Sequence, residues 1–137
     1  MERDKVFKAE LEKHRLNVTK SRQLIFDALT KNRPMRASIL ADKLANKVDR
    51  ATVYRTLDTF ERIGIVQRTW LGFKSQYELA ELFLPHHHHL TCTSCHKVEI
   101  IDDSRIENEI NKLAIQHGFR IKDHLLEVSG LCKKCQK

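Results

Sequence analysis

The stretch His86-His87-His88-His89-Leu90-Thr91-Cys92-Thr93-Ser94-Cys95 places six potential metal ligands within ten residues. In an extended segment, alternate side chains point to opposite faces, so His86 and His88 would share one face and His87 and His89 the other. The run therefore predicts two separate histidine sites, each completed by residues from elsewhere in the chain. A solvated polar loop is the alternative interpretation. Imidazole binds zinc, iron, nickel and copper, so the ligand type does not name the metal.

A second Cys-x2-Cys pair, Cys132 and Cys135, joins Cys92 and Cys95 to make up the four cysteines of the chain. Two such pairs supply the ligands of a tetrahedral zinc site that has no open position for water. We therefore expect a structural zinc rather than a catalytic one. Two disulfides or four inert thiols are the alternatives. We also expect a cytoplasmic protein, since no signal peptide precedes the chain and disulfides are disfavoured in the reducing cytosol.

The positive charge of the chain lies entirely in its first part. Of 137 residues with a net charge of +7, residues 1–79 carry 17 Lys+Arg against 10 Asp+Glu, whereas residues 80–137 carry 8 of each. Seven of the eight histidines and all cysteines lie in the second part. This division predicts a basic nucleic-acid-binding domain over 1–79 joined to a neutral metal-binding domain over 86–137. Residues 80–85, which end at Pro85, are the predicted hinge between them. No apolar run approaches the roughly 20 residues of a membrane span.

The first part has the pattern of a winged helix. Helical periodicity predicts helices over about 4–14, from residue 20 to 31, over 36–46 and over 50–63, with Thr19 and Asp49 as N-caps. Two strands, 65–71 and 75–79, follow around a turn at Gly72. Helices followed by a two-stranded wing are typical of a variant of the helix-turn-helix.

The fourth helix presents polar side chains that suit a DNA groove. Cations, hydroxyls and an aromatic ring remain on its outer face and are able to contact phosphates, base edges and thymine methyls. An ordinary solvated helix face is the alternative. The candidate contacts on this helix are Arg50, Thr52, Tyr54 and Arg55.

The second part predicts a small α/β domain, which makes the whole chain α+β. A strand over 97–102 precedes a helix over 104–117, for which Ser104 suits the N-cap, and one or two further strands follow over 119–129. So few strands leave sheet edges that a second copy of the chain would cover. We therefore expect a homodimer.

Several of these motifs together resemble the ferric uptake regulator (Fur) superfamily. They occur in the family's order over nearly the whole chain, and besides the histidine run and the cysteine pairs they are 16–19 (LNVT), Arg22, 51–57 (ATVYRTL), 117–119 (HGF) and 130–131 (GL). The resemblance implies a homodimeric, metal-responsive transcription factor rather than an enzyme. It further implies a pseudo-palindromic double-stranded DNA operator, an N-terminal winged helix and an α/β dimerisation domain with a four-cysteine zinc.

The resemblance also implies ligand sets and roles by position. A regulatory site would use His86, His88, Glu107 and His124, with His124 on a strand. A hinge site would use Glu78, His87 and His89, although Arg33 and Ile100 replace a histidine and a carboxylate that relatives use there. Tyr54 would contact thymine-type base edges, Arg50 and Arg55 phosphate or base, and Arg22 the DNA backbone.

The regulatory metal would be Zn2+ or Fe2+, with Mn2+ possible in vitro. A histidine-rich site with few carboxylates favours a zinc uptake regulator (Zur) within the family. Two rival functions have other requirements. A zinc enzyme of the cytidine deaminase type needs a His-x-Glu motif, which the sequence lacks, and a metal-storage or metal-delivery protein has no use for the basic first part.

Overall fold

The computed structural model describes residues 1–31, 34–71 and 74–137, and it divides into two compact units, Met1–Pro85 and His86–Lys137. The predicted turn at Gly72 and the substituted position Arg33 lie outside the described residues. Within the part of the chain that is described, no helix has the length and apolar character to cross a membrane.

In its described residues, the first unit has four helices followed by a two-stranded antiparallel sheet, as the sequence predicts. The two strands pair from Val66 with Leu79 to Leu71 with Lys74. The bounds of the elements are α1 Glu2–Lys13, α2 Lys20–Lys31, α3 Ala37–Lys43, α4 Arg50–Arg62, β1 Val66–Leu71 and β2 Lys74–Leu79.

Both predicted N-caps of this unit are confirmed. The Arg22 N–H donates to Thr19 Oγ1 at 3.2 Å at the start of α2. The Thr52 N–H donates to Asp49 Oδ2 at 3.0 Å at the start of α4. These bonds satisfy amide groups that the first turn of a helix leaves without an intrahelical acceptor.

Four phenylalanines form the centre of the first unit's core. Phe7 stacks on Phe26 with ring centroids 4.1 Å apart, and Phe60 meets Phe7 edge-on at 5.7 Å. Phe83 packs edge-on against Phe26 at 5.0 Å and is only 6% exposed. Residues 80–85, the predicted hinge, thus belong to the first unit up to Pro85, because the Phe83 ring is buried there.

The second unit is a three-stranded sheet with one helix. Its elements are β3 His88–Cys92, β4 Val98–Ile101, α5 Ser104–Gln116 and β5 Glu127–Gly130. The strand order is β4-β3-β5, with β3 antiparallel to β4 and parallel to β5. The parallel pairing requires a long connection from one edge to the other, and α5 lies within it.

Two predictions for this unit are wrong. Asp103, not Ser104, is the N-cap of α5, since its carboxylate accepts the Arg105 N–H at 2.9 Å. Of the strand predicted over 119–129, only Glu127–Gly130 reaches the sheet, and His124 lies on irregular backbone before it. The apolar side chains that suggested a longer strand, such as Phe119 and Leu125, are 72% and 82% exposed.

Candidate metal centres and nucleic-acid interface

The four cysteines meet at one end of the second unit's sheet. The parallel pairing of β3 and β5 aligns Cys92 with Gly130, so the turns that follow both strands lie side by side. Cys95 Sγ is 3.7 Å from Cys132 Sγ, and all four sulfur atoms lie within 4.8 Å of one another. Zinc–sulfur bonds of about 2.3 Å at tetrahedral angles separate the sulfurs by about 3.8 Å. The four thiols therefore fit a zinc ion.

Hydrogen bonds within this cluster change the pKa values of its thiols. The N–H groups of Cys132 and Cys95 approach Cys92 Sγ at 3.4 and 3.5 Å and lower the pKa of the Cys92 thiol to about 6. A hydrogen bond from Cys135 lowers the pKa of Cys132, and the same bond raises the pKa of Cys135 to about 12. Thiolate is the form that binds zinc. A bound ion would therefore displace the proton that Cys132 and Cys135 share.

His86, His88, Glu107 and His124 form a second cluster within the same unit. The alternation of the extended run places His86 and His88 on one side, and the first turn of α5 supplies Glu107. The irregular segment before β5 supplies His124. The structure thus brings together all four residues that the family resemblance assigned to the regulatory site.

The donor atoms of this cluster converge on one point. Glu107 Oε1 contacts His88 Nε2 and lies 3.5 Å from His86 Nε2, while Glu107 Oε2 lies 3.0 Å from His124 Nε2. The Nε2 atoms of His86 and His124 are 3.1 Å apart. Ligands held at about 2.0–2.1 Å in a tetrahedral site are separated by roughly 3.4 Å. Three imidazoles and one carboxylate therefore already stand at the spacing that a bound divalent ion requires.

Electrostatics favour a charged carboxylate in this cluster. The hydrogen bond with His88 is the main cause that lowers the pKa of Glu107, and the neighbouring His124 and His86 add to it. His88 is 2% exposed, so its imidazole is shielded from water. A divalent ion bound here would keep the carboxylate ionised and the imidazoles neutral.

His87 and His89 take the opposite side of the run, as the alternation predicts. Their rings are perpendicular, with centroids 4.9 Å apart, and His89 is 5% exposed. Ile100 stands directly across from His89 in the ladder with β4, so an apolar residue occupies the position of the missing carboxylate. Glu78 lies on β2 of the first unit, 3% exposed, and accepts a hydrogen bond from Gln67 at 2.8 Å. The hinge site of these three ligands stays a prediction.

The predicted DNA contacts on α4 lie on its outer surface. Tyr54 is 42% exposed, whereas Val53 and Leu57 are buried. The Thr52 hydroxyl donates to Asp49 at 2.6 Å and accepts from Arg55 at 3.2 Å. Thr52 thus orients Arg55.

Two other predicted DNA contacts have protein partners. The Arg50 guanidinium pairs with Asp42 on α3, and both side chains are more than half exposed. The Arg22 guanidinium donates to the Asn17 carbonyl at 2.6 Å and holds the loop before α2. The sequence contained no signal for Asp42, because the pair joins two different helices.

Comparisons with known proteins match most of the chain. The ferric uptake regulator family model matches residues 13–129. A ferric uptake regulation protein from Legionella pneumophila is 40% identical over 87 residues, which cover 63% of this chain and 62% of the relative. One from Escherichia coli strain K12 is 37% identical over 128 residues, which cover 89% of this chain and 85% of the relative. The chain thus spans less than two thirds of the Legionella relative's length.

Solved structures share the architecture described above. The ferric uptake regulator of Vibrio cholerae is 32% identical, with a TM-score of 0.78, and the match covers 91% of this chain and 98% of that one. A zinc uptake regulator complexed with zinc and DNA is 23% identical, with a TM-score of 0.59 over 96% of this chain and 93% of that one. The latter likeness concerns the fold alone, so the preference for a Zur-type protein stays a prediction. The family model and these relatives show that the chain belongs to the ferric uptake regulator family.

Proposed function

We propose that the chain is a metal-responsive transcriptional regulator that binds double-stranded DNA as a homodimer in the cytoplasm. The cluster of His86, His88, Glu107 and His124 is the observation that carries this proposal. Its donors already have the spacing of a metal site, and they belong to a chain whose excess positive charge lies in a winged helix. The four-cysteine site would hold a structural zinc, which leaves the histidine cluster as the site that responds to the metal supply.

The mechanism requires that the metal favour one arrangement of the chain. Without an ion, three imidazoles and a carboxylate are held together only by hydrogen bonds. A divalent ion would bind tightest to the arrangement in which all four donors converge, and it would increase the population of that arrangement. DNA that selects the same arrangement would bind more tightly when the metal is present. We propose that this linkage serves to repress metal-uptake genes, with the metal as corepressor.

Zinc and iron are the two candidates for the regulatory metal. Three imidazoles with a single carboxylate favour zinc slightly, whereas the names of the relatives from Legionella and Escherichia coli favour iron. Availability in the cell also decides which metal occupies such a site. Affinities measured at buffered free Zn2+, Fe2+ and Mn2+ would rank the three directly.

Apolar side chains on the second unit support the homodimer. None of the α5 residues is buried, and Leu113 and Val128 are 59% and 44% exposed. Single exposed apolar residues are ordinary, but several on one small unit indicate a surface that a partner covers. A second copy of the chain, which would pair two-fold symmetric operator half-sites, is the partner that we propose.

The test is operator binding with and without metal. We expect gel shifts on a promoter fragment to need Zn2+ or Fe2+, and His124→Ala to abolish that dependence while it leaves the cysteine-bound zinc in place. His117→Ala is the matched control, because His117 ends α5 outside the cluster. Equal DNA binding after removal of all labile metal would contradict the proposal.

The same test separates the rival functions. A metal-storage or metal-delivery protein would bind the ions without any metal-dependent DNA shift. A zinc enzyme would need a ligand position open to water, whereas four thiols surround the first site and four side chains converge at the second. We therefore propose that the chain is not an enzyme.

A further inference from the structure

Arg68 connects the wing to the helix that carries the predicted DNA contacts. It lies on β1, and its Nη2 atom is 2.7 Å from Glu61 Oε2 and 3.9 Å from Asp58 Oδ1, both on α4. Arg68 stands opposite Tyr77 in the β1–β2 ladder, and Trp70 lies two residues further along its own strand. We call these five residues the Arg68 clamp.

Aromatic rings fix the position of the guanidinium. Its central carbon lies 4.9 Å from the Tyr77 ring centroid and 5.9 Å from that of Trp70, within the range of cation–π attraction. The side chain is 29% exposed, and in the described part of the chain its buried Nε atom has no hydrogen-bond partner. A buried donor without a partner costs free energy, so the rings and carboxylates must hold the group in place.

The carboxylates of the clamp share a face of α4 with Tyr54. Asp58 and Glu61 follow Tyr54 by four and seven residues, which places all three side chains on one stripe of the helix. Two negative charges on that stripe would repel the phosphates of a bound duplex. The Arg68 guanidinium offsets them from the side of the wing.

We propose that Arg68 is a positioning residue for DNA binding: it fixes the wing to α4 and offsets Asp58 and Glu61 beside Tyr54. This inference rests on the proposed function. It assigns Arg68 no contact with DNA, because its guanidinium is already engaged within the first unit. Lysine cannot replace it fully, since an ammonium lacks the planar face that stacks on the rings.

The experiment compares Arg68→Gln, Arg68→Lys and the double variant Arg68→Gln/Glu61→Gln with Arg62→Gln, which removes one exposed cation from the end of α4. We expect operator affinity to fall about tenfold for Arg68→Gln and less than about twofold for Arg62→Gln. The double variant should recover part of the loss, because the uncompensated Glu61 charge is then gone, whereas Asp58 stays uncompensated and the wing stays unfixed. A direct phosphate contact by Arg68 would make the two substitutions additive, so Glu61→Gln alone would raise the wild-type affinity by the same factor as the recovery.

Trp70 supplies a second readout that needs no DNA, because it is the only tryptophan of the chain. Loss of the neighbouring cation should shift its emission in Arg68→Gln, and a smaller shift should accompany Arg68→Lys, which guards against a failure of the first variant to fold. Unchanged emission in both variants, or equal effects of Arg68→Gln and Arg62→Gln on affinity, would overturn the inference. A wild-type chain that binds no operator would instead refute the proposed function, whatever Trp70 reports.

Discussion

Cys132 links the two cysteine pairs, since its Sγ atom lies near Cys95 and its N–H faces the sulfur of Cys92. We predict that Cys132→Ser lowers the zinc content by at least about one ion per chain and unfolds the second unit, because structural zinc contributes to folding directly. Elemental analysis of the purified protein and a thermal melt would measure both effects. Lys133→Ser is the control, because it changes the same turn without removing a thiol. Retained zinc with a normal melt would refute the zinc assignment.

Tyr54 is the exposed aromatic side chain of α4. We predict that Tyr54→Ala weakens operator binding roughly tenfold, the usual effect of losing a good contact to a base. Tyr54→Phe keeps the ring and should lose less. Titration of a labelled operator would measure the affinities, and the mass of the protein in solution should be the same for all three chains. An unchanged affinity would remove Tyr54 from the set of DNA contacts.

At the scale of single residues, spacing predicted some ligands and resemblance supplied others. Two Cys-x2-Cys pairs indicate one ion by themselves, and alternation along an extended run separates the histidines by face. Glu107 and His124 carry no such local signal. A glutamate in the first turn of a helix and a lone histidine are ordinary surface residues, and only the fold brings them to His86 and His88.

Among the elements, α4 depends on its N-cap. The hydrogen bonds from the Thr52 side chain and N–H are the main causes that lower the pKa of Asp49. Because the pKa is depressed in the folded state, this stabilisation is present above the ordinary value of 3.8 and is lost as the pH falls through the lowered one. We predict that Asp49→Ala lowers the Tm of the first unit at pH 7, and that the difference from the wild-type Tm shrinks as the pH falls below about 4.

Melts followed by circular dichroism at both pH values would measure this difference. Lys47→Ala, an exposed change just before the same helix, should leave the Tm nearly unaltered at either pH. A difference that persists undiminished at low pH would show that the charge of Asp49 is not what stabilises the helix.

The bounds of the helices were predicted better than those of the strands, because apolar residues of helices such as α2 and α4 are buried and several of those in the last predicted strand are exposed. The stripes of α2 and α4 face a core within their own unit, so periodicity and caps located both helices to within a residue or so. Several apolar residues after Gly118, such as Phe119 and Leu125, are largely exposed in the described structure. Their pattern describes a surface rather than a strand, and only Glu127–Gly130 pairs with β3.

According to the proposed function, the second unit binds a second copy of the chain. We predict that Leu113→Glu shifts the chain from dimer to monomer, because a charge placed in a buried apolar interface is costly. Sedimentation at several concentrations would measure the change. Lys112→Ala is the control, since Lys112 pairs with Glu109 at the surface of the same helix. A Leu113→Glu chain that remains dimeric would place the interface elsewhere.

The histidine run, whose last two residues begin β3, has a further consequence for variation in this chain. The four histidines are identical, so a slip by one residue would move Pro85 or Leu90 into one of the four positions but would still place imidazoles on both sides. Cys92, on the same strand, is not interchangeable in this way, because a slip would turn its sulfur away from the other three. The four-cysteine site therefore fixes the register of β3 and with it the face on which each histidine lies. We expect a one-residue deletion between 89 and 92 to be far more damaging than the replacement of any single histidine within the run.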